Sequence, residues 1–226
     1  MNRSVVIVYV VIAIISLLIV LSKQLRDETS TVVRYKLYKY RNQTMNVDRH
    51  TSVLIVLDPL EVYRNTFTKQ QISNMVALVD SARAAGVPVI VTRWIRTRGY
   101  LTDVYDDIGH WSQFVPTNNE QPLKELSHVS WDLWLNTVYT DAFAPVYENG
   151  TRREDVLRTY LERQGIKTLV VAGTWAEACI VMTSYTASTL QLTPVVAEHS
   201  VGGYVRSTLK GIDMNWGHVA SEIHFQ

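Results

Sequence analysis

The sequence is poorest in cysteine, with a single one, Cys179, in 226 residues. One cysteine excludes an intramolecular disulfide and a Cys-x-x-Cys redox or zinc site. The sequence also contains no G-x-S-x-G elbow, P-loop, G-x-G-x-x-G or H-E-x-x-H motif, and its six histidines are scattered singly. A net charge of +1 gives no sign of nucleic-acid binding. These absences leave a lone thiol as the clearest reactive group.

The N-terminus carries the longest apolar run. Residues 4–22 are uncharged and almost all Val, Ile, Leu or Ala, and a helix of this length spans roughly the 30 Å hydrocarbon layer. The sequence predicts a short tail at 1–3, a transmembrane helix at 4–22, a polar juxtamembrane stalk at 23–49 and a folded domain at 50–226. A cleaved signal peptide is the alternative. Its apolar region is usually shorter than this one and is followed by a small-x-small cleavage site, which this sequence lacks after residue 22.

The membrane side of the folded domain stays open at this stage. Lys and Arg residues are more frequent after the predicted span than before it, which favours a cytoplasmic domain. Three glycosylation sequons, at Asn2, Asn42 and Asn149, are usable only in a secretory lumen and favour the opposite side. We therefore predict a single-pass membrane protein without assigning its orientation.

The remainder alternates between apolar strands and amphipathic helices. Capping boxes at Thr68 with Gln71 and at Thr151 with Glu154 indicate two helix starts, and the pattern at Trp216–Ile223 indicates a closing helix. This alternation predicts an α/β fold with a doubly wound, mainly parallel sheet and helices on both faces, in three layers. The predicted strands are Ser52–Leu57, Pro88–Thr92, Trp131–Thr137, Thr168–Ala172 and Pro194–Ala197.

Cys179 follows one of these strands at the start of a predicted helix. Open α/β sheets bind ligands at the carboxyl ends of their strands. Unpaired backbone N–H groups and the helix dipole at such a position stabilise a thiolate, so we expect a lowered thiol pKa there. Asp58 ends the first strand and would lie at the same edge of the sheet. The alternative for Cys179 is an inert, buried apolar residue, which is the commoner role of a free cysteine.

Four segments, in this order, resemble the isochorismatase-like cysteine hydrolase superfamily, which includes isochorismatases, nicotinamidases and N-carbamoyl amide hydrolases. The resemblance extends from about Ser52 to the C-terminus. The segments are Leu54–Asp58, Ala85–Thr92, Tyr139–Phe143 and Leu169–Val181, the last with its helix and the strand ending in Glu198.

The resemblance assigns roles to particular residues. Cys179 matches the family nucleophile, and Asp58 matches the aspartate that takes the thiol proton and returns it to the leaving group. The backbone N–H groups of Ala178 and Cys179 would form the oxyanion hole, with a cis peptide bond at Ala178. Further pocket candidates are Trp175, Phe143 and Tyr63, and Glu198 with His199 could border the pocket.

The chain departs from the family at its third catalytic position. The family lysine falls at Thr137, with Asn136 beside it, and neither residue is charged. An arginine or lysine from the long polar segment after the second strand is a candidate substitute, and these candidates are Arg93, Arg96, Arg98 and Lys124. The metal ligands of the nicotinamidase branch are also missing, because that segment reads Arg93-Trp-Ile-Arg96. We therefore expect no metal and no cofactor.

Two functions fit these residues. The first is a membrane-anchored cysteine hydrolase that acts on a small amide-type substrate through a thioester intermediate. The second is a pseudoenzyme that keeps the fold, has lost the triad at Thr137 and serves in binding or assembly. The expected partners are a small-molecule substrate and the membrane through residues 4–22, and the resemblance adds a homo-oligomer.

Overall fold

The computed structural model describes residues 43–95, 121–148, 151–203 and 205–226. The predicted membrane span, the asparagines of the three sequons and two of the candidate cations, Arg96 and Arg98, lie outside these ranges. No helix within the ranges is both long enough and apolar enough to cross a bilayer.

A parallel sheet forms the centre of the domain. In the described residues the main sheet has eight strands in the order β6-β5-β4-β3-β2-β7-β8-β9, and only β5 and β6 run antiparallel to their neighbours. The strands are β1 Thr44–Val47, β2 Ser52–Leu57, β3 Val89–Trp94, β4 Leu133–Thr137, β5 Val146–Glu148, β6 Thr151–Arg153, β7 Thr168–Gly173, β8 Thr193–Val201, β9 His218–Ala220 and β10 Glu222–Phe225.

Helices cover both faces of this sheet. The helices are α1 Lys69–Ala84, α2 Val156–Arg163, α3 Val181–Thr189 and α4 Val205–Asn215, with 3-10 turns at Glu61–Thr66 and Lys124–Leu126 and a π turn at Ala176–Ile180. One apolar cluster joins α1 to one face of the sheet, and a second cluster joins α2, α3 and α4 to the other face. The predicted doubly wound α/β architecture is therefore confirmed. The central strands β2 and β7 are buried along nearly their whole length, as their unbroken apolar runs predict.

The predicted start of the first helix is confirmed in atomic detail. The Thr68 hydroxyl accepts a hydrogen bond from the Gln71 N–H, and the Gln71 side chain accepts one from the Thr68 N–H. The second predicted capping box is wrong. Thr151 lies in β6, which pairs with β5 in a hairpin, and α2 begins only after Asp155. Residues that the capping pattern assigned to a helix start therefore lie in the hairpin.

The predicted closing helix at Trp216–Ile223 is also wrong. The last helix, α4, ends at Asn215, and the following residues form β9 and β10. In β10 the side chains alternate between exposed and half-buried, which is the period of a strand. β10 pairs in parallel with β1, residue by residue from Thr44 with Glu222 to Val47 with Phe225. The folded domain therefore begins before residue 50.

The chain reverses its winding direction between β2 and β7. From β2 the strands proceed outward through β3 and β4, and from β7 they proceed outward on the other side through β8 and β9. A crevice forms at the carboxyl ends of the two strands where such a reversal occurs, and ligands bind there. Asp58 follows β2 and Cys179 follows β7, so the topology brings both residues to this crevice.

Candidate active site

Gly173 allows the ends of β2 and β7 to approach each other. Its φ is +107°, and a Cβ atom at this position would overlap the backbone of Leu57. The next residue, Thr174, donates its N–H to the Leu57 carbonyl at 2.8 Å. The chain then passes through a cis peptide bond between Thr174 and Trp175 into the π turn that carries Cys179. This close approach places the Cys179 thiol next to Asp58, the residue that follows Leu57.

That residue, Asp58, presents its two carboxylate oxygens to different partners. Its backbone is left-handed, with φ +47°, a conformation that aspartate tolerates better than most residues. Oδ1 accepts hydrogen bonds from the Thr92 hydroxyl at 2.7 Å and from the Trp94 N–H at 2.9 Å. Oδ2 faces the thiol, and Cys179 Sγ donates to it at 3.4 Å. The carboxylate thus has one oxygen held by β3 and one directed at the sulfur.

Burial sets the protonation of this pair. Asp58 is 3% exposed, and burial raises its pKa to about 6, against hydrogen bonds from Thr92, Cys179 and Trp94 that lower it. Burial first and the negative charge of Asp58 second raise the pKa of the Cys179 thiol well above its ordinary value. At neutral pH the resting pair is therefore a carboxylate and a protonated thiol. The predicted lowering of the thiol pKa is wrong, because burial and Asp58 outweigh the start of the helix.

Backbone donors lie near the sulfur, and one of the two predicted donors, the Cys179 N–H, is among them. The N–H of Ala178 donates to the carbonyl of Trp175 at 3.1 Å within the turn. Hydrogen bonds from the backbone at Trp175 and at Cys179 act on the thiol itself and lower its pKa in part. The cis bond likewise lies at Thr174–Trp175 and not at Ala178. Non-proline cis bonds are so rare that a sequence gives little sign of them.

A small, partly open cavity lies beside the sulfur. Three aromatic residues line it, and two of them, Tyr63 and Trp175, meet edge to face with ring centroids 6.2 Å apart. The lining residues are Asp58, Tyr63, Trp94, Thr140, Trp175, Ala178 and Cys179. A concave site with largely apolar walls suits a small molecule that presents one polar group to the thiol.

A model of the isochorismatase domain matches residues 52–208. The chain belongs to the isochorismatase family. No curated protein matches the sequence.

Solved isochorismatase-family structures share the fold at low sequence identity. A cysteine hydrolase from Pseudomonas syringae pv. phaseolicola 1448A has a TM-score of 0.63 and 18% identity over 81% of this chain and 94% of its own. N-carbamoylsarcosine amidase from Thermoplasma acidophilum has a TM-score of 0.62 and 17% identity over 75% of this chain and 95% of its own. A nicotinamidase from Bacillus subtilis has a TM-score of 0.58 and 17% identity over 76% of this chain and 99% of its own.

Thr137, at the expected lysine position, is buried at the end of β4 and does not line the cavity. The Asn136 side chain beside it accepts a hydrogen bond from Arg93 Nε at 3.0 Å. The Arg93 guanidinium also lies 5.3 Å from the ring centroid of Trp134. Successive side chains of a strand point to opposite faces, so Arg93 lies on the face away from Trp94 and the cavity. Arg93 therefore does not replace the lysine.

Several other predicted positions lie away from the thiol. Phe143 packs against the core and lines a separate cavity with Leu161 and Leu192. Its N–H donates to the Asp141 side chain at 3.0 Å. Glu198 and His199 both lie in the described ranges, and neither is one of the residues that line the thiol cavity.

The described residues do not fit a metal. Arg93 and Trp94 end β3, Ile95 follows it, and none of the three supplies a ligand. No group of three or more His, Cys, Asp or Glu side chains in the described ranges could hold an ion.

Sequence reasoning missed three residues of the site. Trp94 and Thr140 line the cavity, and Thr92 bonds the carboxylate. Thr92 had a usable signal, because it places a hydroxyl near the carboxyl end of an apolar strand that is adjacent to β2 in sequence order. Trp94 ends β3 beyond the predicted strand Pro88–Thr92, and Thr140 lies in the loop after β4.

Proposed function

We propose that the chain is a cysteine hydrolase that cleaves a small amide-type substrate through a thioester on Cys179. The observation that carries this proposal is the 3.4 Å contact between Cys179 Sγ and Asp58 Oδ2 beside a cavity. Nucleophile and base within hydrogen-bonding reach are the geometric requirement for covalent catalysis by a thiol.

The first half-reaction forms the thioester. Asp58 Oδ2 takes the thiol proton as the sulfur attacks the carbonyl carbon of the substrate, which gives a tetrahedral oxyanion. We assign the stabilisation of that oxygen to the backbone N–H groups of Trp175 and Cys179, which already act on the sulfur. Asp58 then returns the proton to the substrate nitrogen, the C–N bond breaks, and ammonia or an amine leaves.

The second half-reaction releases the acid. Asp58 takes a proton from water, the resulting hydroxide attacks the thioester carbon, and the C–S bond breaks as the sulfur regains its proton. The net reaction is amide plus water to carboxylic acid plus amine. Since the pKa of Asp58 is about 6, its carboxylate is mostly ionised at neutral pH and available as the base.

A catalytically inactive protein is the second candidate. It is favoured by the neutral Thr137 and by the fact that no charge from a described cation shifts the pKa of Asp58 or Cys179. Loss of a cation next to a thiol and a carboxylate weakens the stabilisation of the thiolate during attack. In this case the cavity would bind a small molecule without turning it over.

A panel of small primary amides and N-carbamoyl compounds separates the two. We expect the full-length chain to release ammonia from at least one of them, and Cys179→Ala to release none. The matched control is Met182→Ala, which changes an exposed side chain one turn away and should not alter turnover. No release from any compound, with a thiol that is as unreactive as in Asp58→Asn, would favour the inactive protein.

We further propose that residues 4–22 anchor the domain in a membrane. The support is their uncharged, aliphatic composition and length. The full chain should remain in the membrane pellet after alkaline carbonate extraction, whereas a chain without residues 4–22 should be released. Release of the full chain would contradict the anchor. Glycosidase sensitivity at Asn149 in eukaryotic cells would place the domain in the lumen.

A further inference from the structure

Thr92 occupies an unusual position in the hydrogen bonding of the site. Its hydroxyl oxygen accepts the backbone N–H of Asp58 at 3.0 Å and donates its proton to Asp58 Oδ1 at 2.7 Å. One side chain on β3 therefore binds both the backbone and the carboxylate of the proposed base. Thr92 is 2% exposed, so water does not compete for these bonds.

The two bonds together fix the direction of the carboxylate. The Asp58 backbone is left-handed, and the Thr92 oxygen holds its N–H in that conformation. The Thr92 proton and the Trp94 N–H both occupy Oδ1. A carboxylate with one oxygen bound by two donors has only its other oxygen to offer as an acceptor, and that oxygen, Oδ2, faces Cys179 Sγ.

We infer that Thr92 is a positioning residue of the proposed reaction, which holds Asp58 so that Oδ2 alone accepts the thiol proton. This inference rests on the proposed function. It assigns to β3 part of the orienting role that a lysine from β4 would have in the family pattern. The neutral Thr137 leaves no cation there.

The titratable groups of the cavity are few. Among the described residues that line it they are Asp58, Cys179 and Tyr63. The Thr92 hydrogen bond lowers the pKa of Asp58. Its loss should therefore raise the pH at which Asp58 becomes a carboxylate, and the pH dependence of thiol reactivity should follow.

The test is the rate of Cys179 alkylation by iodoacetamide in the full-length chain as a function of pH. Cys179 is the only cysteine in the sequence, so the adduct reports on one site. The acid limb of this profile is the rise in alkylation rate near pH 6, where Asp58 ionises. Thr92→Val keeps the shape of the side chain and removes its hydroxyl, so we expect this limb to move up by roughly half a pH unit to one pH unit. Thr92→Ser keeps the hydroxyl and should reproduce the wild-type profile.

Further variants keep the outcome decisive. Thr186→Val removes a hydroxyl that donates to another carboxylate, Asp141, and should leave the profile in place. If Thr92→Val does not fold, Thr92→Ala should show the same upward movement. A folded Thr92→Val or Thr92→Ala profile that coincides with wild type, while Asp58→Asn loses the limb, overturns the role of Thr92 and leaves the proposed function standing. If Asp58→Asn retains the acid limb near pH 6, both the role of Thr92 and the proposed function are contradicted.

Discussion

Two carboxylates of this domain receive the same kinds of donor and arrange them differently. Asp58 and Asp141 each accept one hydrogen bond from a threonine hydroxyl at 2.7 Å and one from a backbone N–H. On Asp141 the donors are divided, with Phe143 N–H on Oδ1 and Thr186 on Oδ2. On Asp58 both donors lie on Oδ1, and Oδ2 is left to the thiol.

This difference separates a structural carboxylate from a reactive one. Asp141 joins the loop after β4 to α3, and the Thr183 hydroxyl supports the same junction by accepting the N–H of Ala142 at 3.0 Å. Burial raises the pKa of both carboxylates. A raised pKa alone therefore does not identify a catalytic group, and an oxygen directed at a nucleophile beside a cavity is the additional requirement.

The largest expected effect is on thiol reactivity. Asp58→Asn removes the base, so the alkylation rate of Cys179 at pH 7.5 should fall by about 100-fold or more, within the range that general-base catalysis contributes. Asp141→Asn is the matched control and should stay within about twofold of wild type. Equal losses in both variants would remove the distinction between the two carboxylates.

The next effect is on stability and its pH dependence. The pKa of Asp58 is about 6 in the folded chain against an ordinary value of 3.8, so the folded state favours the protonated carboxyl. The stability from this preference is complete below about pH 3.8 and is lost as the pH rises through about 6. At pH 7.5 the ionised group costs about 3 kcal/mol at most, by the conversion of a pKa shift into free energy.

Asp58→Asn cannot ionise and should therefore unfold at higher urea concentration than wild type at pH 7.5. The gain should shrink towards zero as the pH falls to about 3.8. Asp141→Asn should gain less, because Asp141 is less buried. A loss of stability in Asp58→Asn at pH 7.5 would contradict this prediction, because it would show that the ionised Asp58 carboxylate stabilises the fold.

The smallest effect concerns the threonine of the structural carboxylate. Thr186→Val leaves Asp141 Oδ2 without its hydroxyl donor, and the free energy of unfolding should fall by about 1–2 kcal/mol. Urea denaturation measures this loss, and Thr186→Ser is the conservative control. If Thr186→Val also reduced ammonia release from an accepted amide beyond its effect on stability, the Asp141 junction would belong to the active site.

The positions of Asp58 and Cys179 were predictable because local and global signals agree there. Unbroken apolar runs identify β2 and β7, and parallel strands bring their carboxyl ends to one edge of a sheet. A terminal aspartate on one strand and a cysteine after the other were then sufficient to expect the pair. Two residues of its surroundings, Tyr63 and Trp175, also lie where the sequence predicts them.

Other features depend on partners that are distant in the sequence. β10 exists because β1 pairs with it across almost the whole chain, and without that partner residues 216–223 resemble a helix. The raised thiol pKa depends on how completely the cavity walls exclude water, which a pattern of residues does not specify. The cis peptide bond between Thr174 and Trp175 likewise has no clear signal in the sequence.

The most direct test of the central claim is to trap the acyl group on Cys179. The full-length chain is mixed with an amide that it hydrolyses, quenched in acid within one turnover, and analysed by intact mass and peptide mapping. We expect wild type to carry the acyl group on Cys179, and Asp58→Asn to acquire it at least about 100-fold more slowly. Ammonia release without an adduct at Cys179, or an adduct formed equally fast in Asp58→Asn, would contradict the account.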